Sequence, residues 1–318
     1  MRIGLDVMGG DKAPEATIAG AILARKEFDP EDRLVLIGDQ QVILEHLEKH
    51  SVNPSDFDIV HAPDQILMKE HPIKSFTNKP ESSIGIGFRE MAEKRLDAFA
   101  SAGNSGAMLV GSIYTVNNVQ GVIRPATSAV FPKVGGGYTV LLDVGTNPDA
   151  KPDVLYQFAI LGAIYAEHLY GIKSPRVALL NIGEEETKGN VQSQSTYQLM
   201  KDTNDFNFIG NVEGRDLLTD KADVIVCDGF TGNVVLKQME AMYHLLVKRG
   251  LTDEYIERFN YENYGGTPIL GINSPVVIGH GISNDIAIKN MVIHSRDVAK
   301  AGLSDKIKYA MLHYSLNK

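Results

Sequence analysis

The chain has 318 residues, of which 43% are hydrophobic and 22% charged, with a formal net charge of -9. That length can bury a large core, in two lobes or one large α/β unit, and the negative balance argues against a general nucleic-acid binder. The single cysteine, Cys227, excludes an intrachain disulfide framework and fits a reducing cytosol, and no run approaches the ~20 apolar residues of a spanning helix.

From the N-terminus, short β-branched runs alternate with longer helical ones. The first, Arg2–Val7, reads as a strand and not as a secretory segment, because Asp6 stands where apolar residues would be needed; a cytoplasmic protein is expected. Further strands are predicted over Arg33–Ile37, Asp58–Val60, Ala98–Ala100, Thr139–Leu142, Arg176–Leu180, Asn207–Ile209, Asp223–Val226 and Val276–Ile278. Helices are predicted over Pro14–Glu27, Gln41–His50, Ser82–Lys94, Pro152–Tyr170, Gln192–Met200 and Thr231–Lys248. Pro14 and Pro152 suit a first helical position, and Gly171 suits a helix end. The alternation predicts an α/β fold, a mostly parallel open sheet flanked by helices, in two intertwined lobes of discontinuous sequence. The expected division is 1–103 plus 268–318 and 104–267 within one unit.

Pro152–Tyr170 is apolar nearly all round, through Leu155, Tyr156, Phe158, Ile160, Leu161, Ile164 and Tyr165. Such a helix is buried on several sides, either inside the monomer or against a second subunit. A homodimer is expected.

Five apolar runs stop at short clusters of Gly, Asn, Asp or Ser: 101–106, 143–147, 181–184, 228–233 and 279–284. In an open parallel sheet such stops fall at the carboxyl ends of strands, where ligands bind, and exposed amides there favour an anion. Together they predict one polar, amide-rich crevice. Ser101, Asn104 and Ser105 supply short hydrogen-bonding groups, with Gly103 and Gly106 letting the chain turn before the next helix; Thr231, Asn233 and Lys237 open another helix similarly. Glu184, Glu185, Glu186 and Lys188 form a charged loop on the predicted ligand side. Taken singly, each cluster is equally well read as turn chemistry plus a helix cap.

The usual nucleotide motifs fail. Gly85-Ile-Gly87 and Gly279-His-Gly281 have Glu90 and Asn284 in the third glycine position, and no P-loop motif occurs. His46 and His50 have zinc-like spacing but no third ligand in view, and read as a solvated helical face. Cys227 ends the apolar run Val224–Cys227 and reads as a buried structural thiol.

Leu5–Pro14, Lys79–Ser83, Ser101–Gly106, Asp143–Asn147 with Lys151-Pro152, and Leu180–Glu186 closely resemble the bacterial phosphate acyltransferases of phospholipid synthesis, the acyl-carrier-protein:phosphate acyltransferases of the PlsX type. So do Gly210–Gly214, Cys227–Lys237, Tyr264–Pro268 and Gly279–Asn290, so that the resemblance spans almost the whole chain. It implies a fold like isocitrate and isopropylmalate dehydrogenases and phosphotransacetylase, without nucleotide, metal or other cofactor. It also implies a homodimer that converts long-chain acyl-[acyl-carrier-protein] and inorganic phosphate to acyl phosphate and free carrier, for a membrane acyltransferase that uses acyl phosphate. Nucleic acid is not an expected partner.

The chemistry suits the residues. Inorganic phosphate near neutral pH is already anionic, with a second pKa on the order of 6–7, and a thiolate leaves readily. Positioning and oxyanion hydrogen bonds remain to be supplied, each contributing several kcal/mol of barrier lowering. His280, Ser283, Asn284 and Asn104 are the candidate catalytic residues, the first three because the resemblance to phosphotransacetylases implies reactive groups on that loop, and Ser101, Gly103, Ser105 and Gly106 are the candidate phosphate cradle. Asp143, Asn147, Asn181, Asp228, Thr231 and Asn233 are candidates for binding substrate or positioning loops, and Lys188 or Lys237 for neutralising phosphate.

An acidic carrier needs a local basic patch on an acidic enzyme; Lys69, Lys74 and Lys79, or Lys300, Lys306 and Lys308, are candidates. The family's long apolar and basic hairpin, which mediates membrane association, is short here, from Glu240 to Tyr264. Its Leu245, Leu246, Val247, Leu251, Ile256 and Phe259 suit peripheral contact at the inner face of the membrane, or cover for the acyl chain or dimer seam. Two rivals remain: a dehydrogenase of the same fold, whose metal-binding aspartates and substrate arginines have no visible counterpart, and a non-catalytic acyl-carrier or lipid scaffold.

Overall fold

A computed structural model describes residues 1–316. The chain opens with β1 (Arg2–Asp6), α1 (Glu15–Arg25), β2 (Arg33–Gly38), α2 (Gln40–Lys49), β3 (Asp58–His61), α3 (Pro72–Asn78), α4 (Ser83–Ala92), β4 (Ala98–Ser101) and α5 (Ser105–Gly111). It continues through β5 (Ala126–Pro132), β6 (Tyr138–Leu142), α6 (Pro152–Tyr170), β7 (Arg176–Leu180), α7 (Val191–Met200), β8 (Asn207–Val212), β9 (Val224–Val226), α8 (Gly229–Lys248) and α9 (Glu254–Glu257). Last come β10 (Gly266–Leu270), β11 (Val276–Gly279), α10 (Asp285–Lys300) and α11 (Leu303–Leu316).

Two compact units result, Met1–Asn118 with Tyr261–Gly302, and Val119–Asn260 with the segment from Leu303. Residues 104–118 and 261–267, expected with the second lobe, therefore belong to the first unit, and the segment from Leu303, expected with the first, belongs to the second. The reason is local: α5 follows β4 directly, and α11 packs on α6.

In the first unit the strand order is β3-β2-β1-β4-β11-β10, with only β10 antiparallel to its neighbour β11. Alternate residues of β2 enter different cores. Leu34 and Leu36 join Ile3, Leu5, Ile18, Ile288 and Met291 under α1 and α10, whereas Val35 and Ile37 join Phe88, Met91 and Phe99 under α4. Helices on both faces are why these strands read as unbroken apolar runs. Each such side chain contributes about 1.5–3 kcal/mol on full burial. Gly87 of the failed nucleotide motif serves this packing: a Cβ there would lie 2.2 Å from the Phe99 ring.

The second unit has the order β5-β6-β9-β7-β8, parallel except for β5. Leu141, Ala178, Val212 and Ile225 form one core, against which Val235, Leu236 and Met239 of α8 pack. On the other face α6 approaches the sheet closely at Gly162, where a Cβ would lie 2.6 Å from Val224. With α7 and α11 also against it, α6 is buried within its own chain from Val154 through Gly162. Its apolar surface is thus accounted for without a second subunit. Pro152 opens α6 and Gly171 closes it in a left-handed conformation, as expected; Pro14 instead precedes α1 as its cap.

The fold is the mostly parallel, open α/β sheet flanked by helices that the sequence predicts. Outside the predicted ranges lie β5, β10, α3, α5, α9, α10 and α11. Pro268 within β10 and the prolines bounding β5 carry the signals of irregular chain, yet both strands pair in antiparallel register. Among the described residues, no helix is long and apolar enough to cross a membrane.

Candidate active site

Parallel pairing puts the carboxyl ends of β1, β4 and β11 at one edge of the first unit. The loops that follow them interlock there. Gly10, at φ +114°, lies against the carbonyls of Gly281 and Ala102, and the Asp11 amide donates to the Gly281 carbonyl at 2.7 Å. A Cβ at Gly9 would meet the Gly103 amide at 2.8 Å. Beneath them sits Asp6, fully buried, with Oδ1 accepting from the Met8 amide at 3.0 Å and Oδ2 from the Ser101 hydroxyl at 2.7 Å. Ser101 Oγ in turn accepts from the Gly103 amide at 2.9 Å. Burial raises the Asp6 pKa, opposed by hydrogen bonds from Ser101, Ser83 and the amides of Met8 and Gly9.

The predicted residues divide sharply. Asn104 caps α5, accepting from the Ala107 amide at 3.0 Å, while its amide group donates to the carbonyls of Leu67, Met68 and Glu70. Asn284 caps α10 through the Ala287 amide and donates to Glu262 at 2.8 Å. Both asparagines, expected to act on substrate, have side chains committed to structure. Ser101 is committed to Asp6. Ser105 is exposed, and His280 is half-buried with its ring 5.1 Å from that of Tyr261. Ser283 differs from all of these: it is 3% exposed and its Oγ has no hydrogen-bond partner.

In the second unit the ends of β6, β9, β7 and β8 share an edge. Buried Asp143 is held by the amide of Thr127 on one oxygen, at 3.1 Å, and by the amide and side chain of Asn147 on the other, at 2.5 and 2.9 Å. Burial raises its pKa as well. Asp228 caps α8 through the Thr231 amide at 2.7 Å. Glycine is required where α8 begins, because a Cβ at Gly232 would lie 1.9 Å from the Asp143 carbonyl oxygen. Cys227 is buried here, and burial with the nearby Asp228 and Asp143 pushes its thiol well up, as suits a structural thiol and not a nucleophile.

Asn181 ties its own loop, through the Lys188 carbonyl and the Ile182 amide. Lys237 pairs with Glu240 at 2.7 Å, while Lys188 and Asn233 are exposed. Glu184, Glu213 and Asp216 cluster closely, but Lys221 pairs with Glu184 and Asp216, and Arg215 with Glu213. Of the proposed carrier lysines, Lys79 is held by Glu70 and Asp64, and Lys300 by Asp29 and Asp32. Lys69 and Lys74 are exposed.

Sequence reasoning missed Asp6, Gly9, Gly10 and Thr127. An acid inside the apolar run Ile3–Val7 was the available signal for the first.

A family model described as fatty acid synthesis protein matches residues 1–254. A phosphate acyltransferase from Syntrophomonas wolfei is 43% identical over 296 residues, covering 91% of this chain and 92% of that protein. The chain belongs to the phosphate acyltransferase family. A second member, from Bacillus subtilis, is 39% identical over 328 residues, with 97% of each chain covered. Among solved structures, a phosphotransacetylase from Staphylococcus aureus shares the fold at a TM-score of 0.65, with 16% identity and 94% of each chain covered. The chain is accordingly an enzyme of the phosphate acyltransferase type, and the family description ties it to fatty acid synthesis.

Proposed function

We propose that this phosphate acyltransferase moves a long-chain acyl group from an acyl-carrier-protein thioester to inorganic phosphate, giving acyl phosphate for phosphatidic acid and phospholipid synthesis. The observation that carries the reading is Ser283. A buried hydroxyl with no partner costs roughly 1–3 kcal/mol, and this one lies in the loop after β11, which meets the loops after β1 and β4. Such a hydroxyl fits a polar ligand held by loop amides.

In this reading the exposed Ser105 hydroxyl, the Ser283 hydroxyl and amides of 101–106 and 279–284 hold phosphate, and His280 orients or protonates. A phosphate oxygen attacks the thioester carbonyl carbon, the C–S bond breaks, and the carrier thiolate leaves with the electron pair. Asn104 and Asn284 hold the loops.

Lys69 and Lys74 form the carrier patch, on the segment that Asn104 fixes through the carbonyls of 67, 68 and 70. The exposed Leu245, Val247 and Leu251 with Lys248 and Arg249 support peripheral membrane contact. The homodimer rests on the family resemblance alone. The test of function is release of free carrier thiol from a long-chain acyl carrier: it is expected to require phosphate and to yield acyl phosphate in equal amount. Release at the same rate without phosphate would reject the reading.

A further inference from the structure

We propose that Asp6 is a positioning residue of the phosphate site: its carboxylate fixes the loops after β1 and β4 together and so sets the placement of the groups that hold phosphate. The inference rests on the phosphate reading above.

The connection is a continuous series of hydrogen bonds. The Gly103 amide donates to Ser101 Oγ at 2.9 Å, Ser101 donates to Asp6 Oδ2 at 2.7 Å, and the Met8 amide donates to Oδ1 at 3.0 Å. The Gly9 amide and the Ser83 hydroxyl also favour the ionised carboxylate. Residues 95 apart in sequence are joined at this point. Steric constraint adds to the bonding, because a Cβ at Gly9 would lie 2.3 Å from Asp6 Oδ2 and 2.8 Å from the Gly103 amide.

Every partner of Asp6 is able to donate, and an ionised carboxylate accepts from all of them. Its negative charge therefore faces donors of the protein itself and not the incoming anion. Asparagine has the same shape but only one acceptor oxygen. In Asp6→Asn the new amide group either turns the Ser101 hydroxyl round, so that its oxygen accepts from the asparagine and from the Gly103 amide together, or faces the Met8 amide as a second donor. Either arrangement resets the bonds that tie the two loops although the core beneath is unchanged.

The experiment compares the full-length wild type with Asp6→Asn and Ser101→Ala. Inorganic phosphate binding is measured by calorimetry, KM for phosphate and for acyl carrier by thiol release, and folding by thermal melting. Asp6→Asn is expected to weaken phosphate binding and raise its KM at least tenfold, with KM for acyl carrier within twofold. Ser101→Ala is expected to act in the same direction, and the double variant to be no worse than the more severe single one, since the bonds act in series.

Equal loss for both substrates alongside a lowered melting temperature would mark Asp6 as merely structural and overturn the inference. If Asp6→Asn does not fold, Ser101→Ala decides, and an unchanged phosphate KM there overturns it. Should wild type bind phosphate and both variants bind it equally well, the role of Asp6 fails alone. Should wild type bind no phosphate at all, the functional reading fails first.

Discussion

Each unit buries an aspartate at the end of a strand, but Asp6 and Asp143 hold different things. Asp143 organises its own neighbourhood: the amide of Asn147, four residues on, and the amide of Thr127 at the start of the antiparallel strand beside it. Asp6 joins two loops that are distant in sequence and does so partly through hydroxyls, which can reverse. Both sites carry a carboxylate without a basic partner among its hydrogen bonds. Asp143 also accepts from the Thr127 hydroxyl, but each of its oxygens has a backbone amide donor, whereas Oδ2 of Asp6 is met by the Ser101 hydroxyl.

Substitutions should break this comparison in a definite order. Gly232→Ala is expected to cost most, because its methyl group meets backbone, the Asp143 carbonyl, and not a flexible side chain. Overpacking of this kind costs about 1–3 kcal/mol or more, read as a lowered urea midpoint with unchanged slope. Asp143→Asn comes next. Each Asp143 oxygen faces a backbone amide, so either orientation of the new side chain sets NH2 against N–H, at a cost of roughly 1–3 kcal/mol for the unsatisfied group. Asp6→Asn should destabilise less than Asp143→Asn, since Ser101 and Ser83 can accept. Equal losses would erase the distinction.

The pH dependence sharpens it. Burial raises the Asp6 pKa, so the folded protein keeps this proton to higher pH than the unfolded chain does. The corresponding stability is present at low pH and is lost as pH rises through the folded-state value. Asp6→Asn lacks that loss. Its melting temperature relative to wild type should therefore move upward as pH is raised from about 4, where aspartate of the unfolded chain ionises, through the folded-state value. A difference that is constant with pH would contradict the assignment.

A smaller effect is expected at the surface. Reversing charge at Lys69 and Lys74 should raise KM for acyl carrier about three- to tenfold at low ionic strength, with the difference shrinking as salt is added. The same change at Lys79 should do less, because Glu70 and Asp64 already oppose it.

The sequence carried the parallel core well, because helices on both faces leave β1, β2, β4 and β9 as plain apolar runs. It carried β5 and β10 poorly, since their prolines and glycines signal turns and only tertiary pairing overrides that signal. At the candidate site the glycine-rich strand ends were visible as a class. What sequence does not encode locally is which side chains are already occupied. Asn104 and Ser283 look alike as short polar residues in tight loops, yet the first has its amide and oxygen engaged and the second has a buried oxygen with no partner. Asp6, the residue that joins the loops, was legible only as a charge in an apolar strand.

The most direct test is a phosphate titration of acyl phosphate formation by Ser283→Ala at saturating acyl carrier. If the first unit's strand-end loops hold phosphate, KM for phosphate should rise about tenfold, the ~1.4 kcal/mol scale of one hydrogen bond to an anion, while the melting temperature holds or increases. A phosphate KM equal to that of wild type in this folded variant would contradict the site.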